Sequence, residues 1–414
     1  MRLRSESCEP VVAEINLPVS KSECNRALML SAWSGGKIQA GTISDANDSL
    51  ILSELLSRPD EAVYNAADAG TAFRFLAAFL GLNNKQCRLE GTERMHERPV
   101  ATLTRALREL GCRIDYAGRE DFPPLLFRGY AFSGKNELHF DRPESSQFIS
   151  ALMMAAPSLP DGLILTFGQK PASFPYIELT AGMMSDCGLE VYCSETCVRI
   201  PAQPWQSRRI QAGADWSAAS YFYGILACLP VGSSFLFPGL FTSSHQGDKI
   251  LRELFLSFGI QTTSLEKGTR IENSGGIHPE NVFSYDFEDC PDLALTFIAL
   301  CASLGLEGRF SGLASLQIKE SRRLQVIQSE LKKAGIELEA DGEFKTAYLK
   351  KQQAGWPETV PTFQCHKDHR IAMALSILLA GKTRTAGFDE ADVVTKSFPG
   401  YWTEIQKAGF NPEF

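Results

Sequence analysis

Six strongly apolar segments recur along the chain, and each opens on small, polar or charged residues. They read SKSECNRALMLSAWSGG, DAGTAFRFLAAFLG, ESSQFISALMMAAP, ADWSAASYFYGILACLP, CPDLALTFIALCASLG and KDHRIAMALSILLAG. The last four openings, near Glu144, Ala214, Cys290 and Lys367, follow one another at intervals of 70, 76 and 77 residues. A segment of about three turns that is apolar almost all round predicts a buried helix, and the Gly or Pro that usually follows predicts its end.

A second, amphipathic kind of segment alternates with the first and ends in Gly before a hydrophobic residue or Cys. Its five copies are ATLTRALRELGC, IELTAGMMSDCGL, DKILRELFLSFGI, RLQVIQSELKKAGI and YWTEIQKAGF. Their glycines predict left-handed C-caps and are Gly111, Gly188, Gly259, Gly335 and Gly409. Short β-like runs such as CRLEG, LEVYC and GRFSG lie between the helices. The first repeat lacks this Gly and reads SELLSRPDEAV instead. The pattern predicts one unit of strands and two helices, about 75 residues long, copied six times.

Composition narrows the function classes. A chain of 414 residues suggests two domains or more, and a formal net charge of −8 argues against a broad cationic surface for nucleic acid. The start, MRLRSESCEP, lacks an apolar leader, and no uncharged apolar run reaches the roughly 18–20 residues that a membrane span needs. Eleven scattered cysteines without a CxxC pair fit free thiols in a reducing cytoplasm. We therefore expect a cytoplasmic protein that binds neither membrane nor nucleic acid.

The first apolar segment places Lys21 and Arg26 at the start of its predicted helix, beside Ser20 and Ser22. A helix N-terminus carries partial positive charge, so cations there are unfavourable unless an anion binds. A phosphate at this point would accept backbone N–H bonds and gain from both cations. The alternative is a solvated helix start with snorkelling side chains. Cys24 lies between the cations, where we expect either a lowered thiol pKa or a buried, inert thiol.

Two further helix starts offer arginines. DAGTAFRFL supplies Gly70 for close backbone approach, Thr71 as a cap and Arg74 in the first turn. ERMHERPVATL supplies Arg98 before a proline that suits the first turn of a helix. Arg94 lies four residues before Arg98, and the alternative for either arginine is a surface ion pair with Glu93 or Glu97.

The remaining candidates are polar or charged residues at the later helix starts. Three neutral hydrogen-bonding residues open the third segment: Ser145, Ser146 and Gln147. Asp292 precedes a wholly apolar helix and is either its cap or a base in a dry site. Charges also recur in KESRR, KDHR and TKSF, at Lys319, Glu320, Arg322, Arg323, Asp368, His369, Arg370 and Lys396. No spacing is typical of a zinc site, and no GxGxxG or P-loop is present.

Seven motifs occur in this order along the chain: SKSxxNRAL, AGTAxR, MxERP, SSQFxxALxMAAP, KESxRL, DHRxAM and KSFPxY. Together they make the chain resemble the 5-enolpyruvylshikimate-3-phosphate synthases of the enolpyruvyl transferase family. The resemblance runs from about residue 15 to 410. It implies a mixed α/β (α+β) fold: a two-domain inside-out α/β barrel with three βαβαββ repeats per domain, six in all, and helix N-termini facing the interdomain cleft. The implied domains are residues 20–211, and residues 1–19 with 212–414.

The resemblance also implies a reaction. The family transfers the enolpyruvyl group of phosphoenolpyruvate to the 5-hydroxyl of shikimate 3-phosphate and releases phosphate, by addition and elimination through a tetrahedral intermediate. This is a step of the shikimate pathway, toward chorismate and the aromatic amino acids. It implies a transferase with two small-molecule substrates, no cofactor and no metal, and we expect a monomer.

Residue roles follow from the matching motifs. Asp292 would accept the proton of the attacking hydroxyl, and Glu320, assisted by Lys21, would protonate the methylene carbon of phosphoenolpyruvate. Shikimate 3-phosphate would contact Lys21, Ser22, Arg26, Ser145, Ser146, Gln147, Ser173, Tyr176, Asp292, Ser315 and Lys319. Phosphoenolpyruvate would contact Lys21, Gly70, Arg98, Gln147, Glu320, Arg323, Asp368, His369, Arg370 and Lys396.

The chain departs from the family pattern at four positions: Asp68 in place of Asn, Phe75 in place of Pro, Ser315 in place of Asn and Arg322 in place of Asp. Two alternatives stay open. The sister family, UDP-N-acetylglucosamine enolpyruvyl transferase, shares the repeat, but its start reads Lys-Asn and its mobile loop commonly carries a reactive Cys, whereas Cys112 here follows a predicted helix end. The other alternative is a non-catalytic anion-binding protein built from the same repeats.

Overall fold

The computed structural model describes residues 1–5, 9–58, 60–275, 282–351 and 355–414. The chain forms two compact units of mixed α/β structure. One, here called the inserted unit, comprises Val19–Ala212 and His245–Gly247. The other, the discontinuous unit, comprises Met1–Pro18, Gly213–Ser244 and Asp248–Phe414. Each unit has its own hydrophobic core.

The regular elements are as follows. The α-helices are α1 Lys21–Trp33, α2 Asn47–Leu56, α3 Gly70–Leu82, α4 Glu93–His96, α5 Ala101–Glu109, α6 Ser146–Ala155, α7 Pro175–Asp186, α8 Trp216–Cys228, α9 Leu251–Leu254, α10 Ala294–Leu304, α11 Arg323–Lys333, α12 His369–Ser376 and α13 Tyr401–Lys407. The strands are β1 Arg2–Ser5, β2 Val12–Glu14, β3 Ile38–Ala40, β4 Val63–Asn65, β5 Gln86–Glu90, β6 Cys112–Tyr116, β7 Leu125–Tyr130, β8 Glu137–Phe140, β9 Leu163–Phe167, β10 Tyr192–Cys193, β11 Cys197–Ile200, β12 Arg208–Ile210, β13 Ser234–Pro238, β14 Ile260–Leu265, β15 Gly268–Asn273, β16 Val282–Asp286, β17 Glu307–Ser311, β18 Leu338–Ala340, β19 Ala347–Leu349, β20 Thr362–Phe363, β21 Arg384–Phe388 and β22 Phe410–Glu413.

All six apolar segments form helices, as predicted: α1, α3, α6, α8, α10 and α12. Four of them begin behind a side chain that accepts a backbone N–H of the first turn, which satisfies a donor that the helix itself leaves unpaired. These caps are Ser20, Ser145, Asp215 and Asp368. The six helices are buried along most of their length and form the centres of the two cores.

The five predicted C-cap glycines all have positive φ, from 75° at Gly335 to 109° at Gly111. A residue with a Cβ would be strained there, so this prediction is confirmed. The segment DKILRELFLSFGI, however, is not a regular α-helix. The single α-turn of α9 lies between two 3-10 turns, Gly247–Ile250 and Phe255–Phe258.

Five four-stranded sheets share one strand arrangement, in which a parallel pair is followed by two strands that each pair antiparallel. Their orders are β4-β5-β7-β6, β8-β9-β11-β10, β2-β13-β15-β14, β16-β17-β19-β18 and β20-β21-β1-β22. Within the described residues a sixth sheet has two parallel strands, β3 and β12. The inserted unit holds the first two of these sheets and the β3–β12 pair, and the discontinuous unit holds the other three.

In the part of the chain that the structure describes, no helix combines the length and the apolar character that crossing a membrane requires.

Candidate active site

In the inserted unit, the start of α1 carries a buried cation held by neutral groups. Arg26 is 2% exposed; its Nε donates to Thr180 Oγ1 at 2.7 Å, and its Nη2 donates to Ser150 Oγ at 3.2 Å and to the carbonyl oxygen of Tyr176 at 3.1 Å. Its Nη1 donates to the Ser22 carbonyl oxygen at 2.9 Å. Burial lowers the pKa of Arg26 to about 10. Because these acceptors are neutral, the positive charge remains available to an anion.

Lys21 begins the same helix and has one described ion-pair partner. Its Nζ lies 3.4 Å from Oδ2 of Asp48, a carboxylate that is almost fully buried at the start of α2. The Lys21 side chain is 16% exposed, so its ammonium group can still reach a ligand. Asp48 was not singled out from the sequence, because DANDSL gives no periodic signal that one of its acids faces α1.

A second positive group surrounds the start of α3. Arg74 Nη1 donates to the Gly70 carbonyl oxygen and to Gln147 Oε1, both at 3.0 Å, and Gln147 Nε2 donates to Thr71 Oγ1 at 3.0 Å. Arg98 is 8% exposed, and its Nε has no hydrogen-bond partner within the described residues. A buried guanidinium with an unused donor is costly unless a ligand completes it. The surface ion pair is confirmed for Arg94, whose Nη1 lies 2.5 Å from Glu97 Oε2.

Gly70 is needed because the two guanidinium groups pack directly against its backbone. A Cβ at this position would lie 2.4 Å from Arg98 Nη1 and 2.7 Å from Arg74 Nη1. The expectation that Thr71 caps α3 is wrong: Ala69 is the N-cap residue, no side chain caps the helix, and Thr71 lies in its first turn. The proline after Arg98 also precedes α5 rather than entering its first turn.

The serine and tyrosine candidates lie at the starts of α6 and α7. Ser145 accepts a hydrogen bond from the Gln147 N–H, as a capping serine should, and Ser146 is buried. Ser173 has a φ of 56°, in the left-handed region, just before α7. The Tyr176 ring centroid lies 6.0 Å from Arg26 Cζ, so α1 and α7 are joined through the predicted site.

In the discontinuous unit, three carboxylates converge on one buried arginine. Arg323, 2% exposed, donates from Nε to Asp368 Oδ2 at 2.8 Å, from Nη1 to Asp292 Oδ1 at 3.1 Å and from Nη2 to Glu320 Oε2 at 2.6 Å. Burial alone would lower the pKa of Arg323, but the three carboxylates outweigh it and raise that pKa above its usual value. Arg323 therefore fixes the relative positions of the two predicted proton-transfer groups, Asp292 and Glu320.

Asp292 is not the helix cap that its sequence position allowed. It lies in a 3-10 turn, Pro291–Leu293, and makes no capping bond to α10. Its carboxylate lies 2.8 Å from Arg370 Nη2, 3.1 Å from Arg323 Nη1 and 3.6 Å from Lys319 Nζ. Burial would raise the pKa of Asp292, but these cations hold it well below its usual range. The group is therefore an ionised carboxylate whose basicity depends on how strongly its cations are engaged.

The remaining candidates of this unit are Asp368, His369, Ser315 and Lys396. Asp368 is 0% exposed, caps α12, and accepts from Ser321 Oγ at 3.0 Å as well as from Arg323; His369 beside it is 1% exposed. The contact of both residues with phosphoenolpyruvate stays a prediction. By contrast, Ser315 Oγ has no hydrogen-bond partner among the described residues, and Lys396 Nζ lies 4.0 Å from Glu320 Oε1.

Two further polar residues adjoin this cluster and were missed from the sequence. Tyr221 on α8 accepts a hydrogen bond at 3.3 Å from Arg370 Nη1. Asp248 is 4% exposed and accepts a hydrogen bond from Ser217 Oγ. Burial, with the nearby charge of Asp292, raises the pKa of Asp248 to about 7. Nothing in the surrounding sequence marks either residue, since both belong to segments that show only a helical pattern.

The comparisons with known proteins identify the family. The model of the EPSP synthase family (3-phosphoshikimate 1-carboxyvinyltransferase) matches residues 41–405. The chain belongs to the EPSP synthase family. It is 38% identical over 411 residues to the 3-phosphoshikimate 1-carboxyvinyltransferase of Bacteroides fragilis strain ATCC 25285, across 99% of this chain and 98% of that one. With the Syntrophobacter fumaroxidans protein of the same name it shares 31% identity over 437 residues, across 98% and 99% of the two chains.

The fold agrees as well. An EPSP synthase structure from Acinetobacter baumannii superposes with a TM-score of 0.74 at 18% identity, over the whole of both chains. The resemblance noted in the sequence is thus confirmed, and the names of these relatives do not favour the sister family.

Two departures from the EPSP synthase pattern have a visible structural setting. Phe75 is fully buried, and its ring centroid lies 5.6 Å from Arg26 Cζ, so it packs beneath that guanidinium. Asp68 does not cap α3 with its side chain. Of the two alternatives for Cys24, the structure supports the buried thiol and not the lowered pKa: Cys24 is 2% exposed, and burial raises its thiol pKa.

Proposed function

We propose that this protein is a transferase that moves the enolpyruvyl group of phosphoenolpyruvate to the 5-hydroxyl of shikimate 3-phosphate and releases phosphate. The reaction is a step of the shikimate pathway, which leads to the aromatic amino acids. Membership in the EPSP synthase family supports this assignment. The observation that carries it is the cluster of Arg323, Arg370 and Lys319 around Asp292, because it combines anion-binding groups with a carboxylate able to move a proton.

In the inserted unit, the proposed ligands of shikimate 3-phosphate are Lys21, Ser22, Arg26, Ser145, Ser146, Gln147, Ser173 and Tyr176. Ser315, Lys319 and Asp292 of the discontinuous unit complete the set. A phosphate at the starts of α1 and α6 would accept backbone N–H groups as well as side-chain bonds. The buried Arg26 supports this placement. Within the described chain its guanidinium donates hydrogen bonds to hydroxyl and carbonyl oxygens and not to a carboxylate, so its charge can still attract an anion.

For phosphoenolpyruvate we propose Lys21, Gly70, Arg98 and Gln147 from the inserted unit, and Glu320, Arg323, Arg370 and Lys396 from the discontinuous unit. Arg98 supports the first group because its Nε lacks a described partner. An arginine presents its donors in a plane that matches carboxylate and phosphate oxygens. Asp368, which accepts a hydrogen bond from Arg323, and His369 beside it complete the proposed set.

The proposed chemistry begins with two proton transfers. Asp292 takes the proton of the 5-hydroxyl, whose oxygen attacks the substituted carbon of phosphoenolpyruvate, while Glu320, assisted by Lys21, gives a proton to the methylene carbon. In the tetrahedral adduct the transfers then reverse: the new methyl group returns a proton to Glu320, the C–O bond to phosphate breaks, and phosphate leaves with the proton held by Asp292.

The low basicity of Asp292 beside its three cations fits this order of steps. Its three cations are also proposed substrate ligands, so an arriving phosphoenolpyruvate or shikimate 3-phosphate anion competes with Asp292 for them. Each cation that binds a substrate anion attracts the Asp292 carboxylate less strongly, and the proton affinity of Asp292 then rises. The base would thereby become effective only when both substrates are bound.

We also propose the family's finer architecture: six βαβαββ repeats, three in residues 20–211 and three in residues 1–19 with 212–414. The shared strand arrangement of five sheets supports it, with the β3–β12 pair as a reduced sixth copy. We further propose a cytoplasmic monomer that binds no nucleic acid. Ten cysteines of the described chain are unpaired, as a reducing compartment allows, and light scattering tests the mass.

The function is tested by incubating the purified protein with phosphoenolpyruvate and shikimate 3-phosphate and measuring released phosphate. One phosphate per enolpyruvylated product, identified by mass spectrometry, is expected. UDP-N-acetylglucosamine replaces shikimate 3-phosphate in the control and should release none. Tight binding of both substrates without turnover would instead make the chain an anion-binding protein.

A further inference from the structure

A four-residue turn with an uncommon backbone leads into the Asp368 cap. The Asp368 N–H donates to the Cys365 carbonyl oxygen at 2.9 Å, and the two residues between them, His366 and Lys367, have φ values of 52° and 54°. Residues with a side chain seldom adopt this left-handed conformation, and two in succession are rarer still. The turn immediately precedes the cap of α12 and so determines where Asp368 and Arg370 lie.

Two carboxylates hold the chain at the entrance to this turn. Glu330 Oε2 accepts the Gln364 N–H at 2.8 Å, and Asp389 Oδ1 accepts the Cys365 N–H at 2.8 Å. The imidazole of His366 adds a third tie, because its Nε2 lies 3.2 Å from Glu330 Oε1. Glu330 is 1% exposed, and its Oε1 is placed to accept an N–H from the His366 imidazole.

Helix α11 connects the turn to the cluster around Asp292. Arg323 is its first residue and binds Asp368, which follows the turn; Glu330, two turns further along, binds Gln364 and His366, which lie before and within it. Helix α11 therefore binds the loop both before and after the left-handed residues His366 and Lys367. Lys333 Nζ, 2.7 Å from Glu330 Oε2, fixes the carboxylate from its other side.

We propose that His366 is a positioning residue: through its bond to Glu330 it holds the left-handed turn that places Asp368, and with it Arg323 and Arg370, for binding phosphoenolpyruvate. The inference rests on the proposed function of those two arginines. His366 itself does not touch the reacting atoms. If the Glu330–His366 bond is lost, the turn can relax toward ordinary backbone angles, and the Asp368 carboxylate moves with it. A displacement of about 1 Å in such a group can cost about 10²-fold in rate.

Two substitutions separate the bond from the backbone preference. His366→Gln keeps an N–H donor near the position of Nε2 but has no preference for left-handed φ. His366→Asn favours left-handed φ, as Asn commonly does, but its amide is too short to reach Glu330. Because the His366 side chain is 35% exposed, neither change disturbs a core. His139→Asn is the matched control, since His139 is an exposed histidine of the inserted unit.

The readouts are kcat, KM for phosphoenolpyruvate and, by titration calorimetry, Kd for shikimate 3-phosphate alone. We expect His366→Asn to lower kcat/KM for phosphoenolpyruvate by at least about tenfold, while His366→Gln and His139→Asn stay within about threefold. The Kd for shikimate 3-phosphate should be unchanged in all three. A merely structural role would lower the melting temperature without this split between substrates.

The opposite ranking would overturn the inference. If His366→Asn keeps the kcat/KM of the unchanged protein and His366→Gln loses it, then the backbone preference at this position matters and the bond to Glu330 does not. Equal activity in all variants would overturn it as well. These outcomes are distinct from a failure of the proposed function, which the unchanged protein would reveal by releasing no phosphate from its two substrates.

Discussion

Gly70 lies where an added methyl group would disturb the site and little else. A Cβ there would be 2.4 Å from Arg98 Nη1 and 2.7 Å from Arg74 Nη1, against the 3.4 Å at which ordinary contacts begin. The guanidinium groups are the movable partners, so in Gly70→Ala they must shift by about 0.7–1 Å. A misplacement of about 1 Å in a substrate-positioning group can cost about 10²-fold, or about 3 kcal/mol of transition-state stabilisation.

Steady-state kinetics of phosphate release should therefore show Gly70→Ala with kcat/KM for phosphoenolpyruvate reduced by about 10–10²-fold. Because the helix itself prefers Ala to Gly, the melting temperature should fall by less than about 4 °C. Gly81→Ala is the matched control on α3: its Cβ meets Cys112 Sγ at 3.2 Å, away from both arginines, and it should retain normal kinetics. A normal kcat/KM for phosphoenolpyruvate in Gly70→Ala would refute the placement of this substrate at Arg98.

Three other predictions concern titratable groups. Asp292→Ala should lower turnover by at least about 10²-fold with phosphoenolpyruvate affinity within about threefold by calorimetry; equal losses of both would contradict its assignment as the base. Since burial raises the pKa of Asp248 to about 7, above its unfolded value of about 3.9, the folded state holds a proton that the unfolded state releases. Stability should then fall as pH rises from about 4 to 7. In urea unfolding, the unchanged protein should lose up to about 4 kcal/mol relative to Asp248→Asn over that range, and parallel profiles would exclude the shift. Because burial raises the pKa of Cys24, iodoacetamide should inactivate the unchanged protein and Cys24→Ser at equal rates. Slower inactivation of Cys24→Ser would show that Cys24 is a reactive thiol.

The sequence predicted the structural features that depend on neighbouring residues along the chain. Helix periodicity and C-cap glycines are local, so the six apolar helices and the left-handed Gly111 and Gly335 were predictable without any tertiary contact. The exception is the segment around α9, which the sequence predicted as one regular helix. Its two 3-10 turns give the same amphipathic pattern in the sequence as an α-helix would.

Charges at the site were found as candidates, but their partners were not. Asp292 looked like a cap because capping is a local motif, whereas its actual partners, Arg323 and Arg370, are 31 and 78 residues away. Asp48 and Tyr221 were missed for the same reason, since only the folded chain brings them to Lys21 and Arg370. The choice between the two alternatives for Cys24 also needed the fold: burial raises its thiol pKa and outweighs the hydrogen bonds from the Ser44 N–H and the Ser49 side chain, which lower it.

The central position of β1 in its sheet has a consequence for biogenesis. Arg2–Ser5 pairs with β21 and β22, which follow it by almost 380 residues or more, so β1 is synthesised long before either of its hydrogen-bonding partners. Meanwhile the inserted unit, contained almost wholly in Val19–Ala212, can fold as soon as it has been translated. Pairing across nearly the full chain length is slow, and until it happens β1 is an open edge able to join another chain. Assembly of the discontinuous unit should therefore limit the refolding rate and be the step most sensitive to protein concentration.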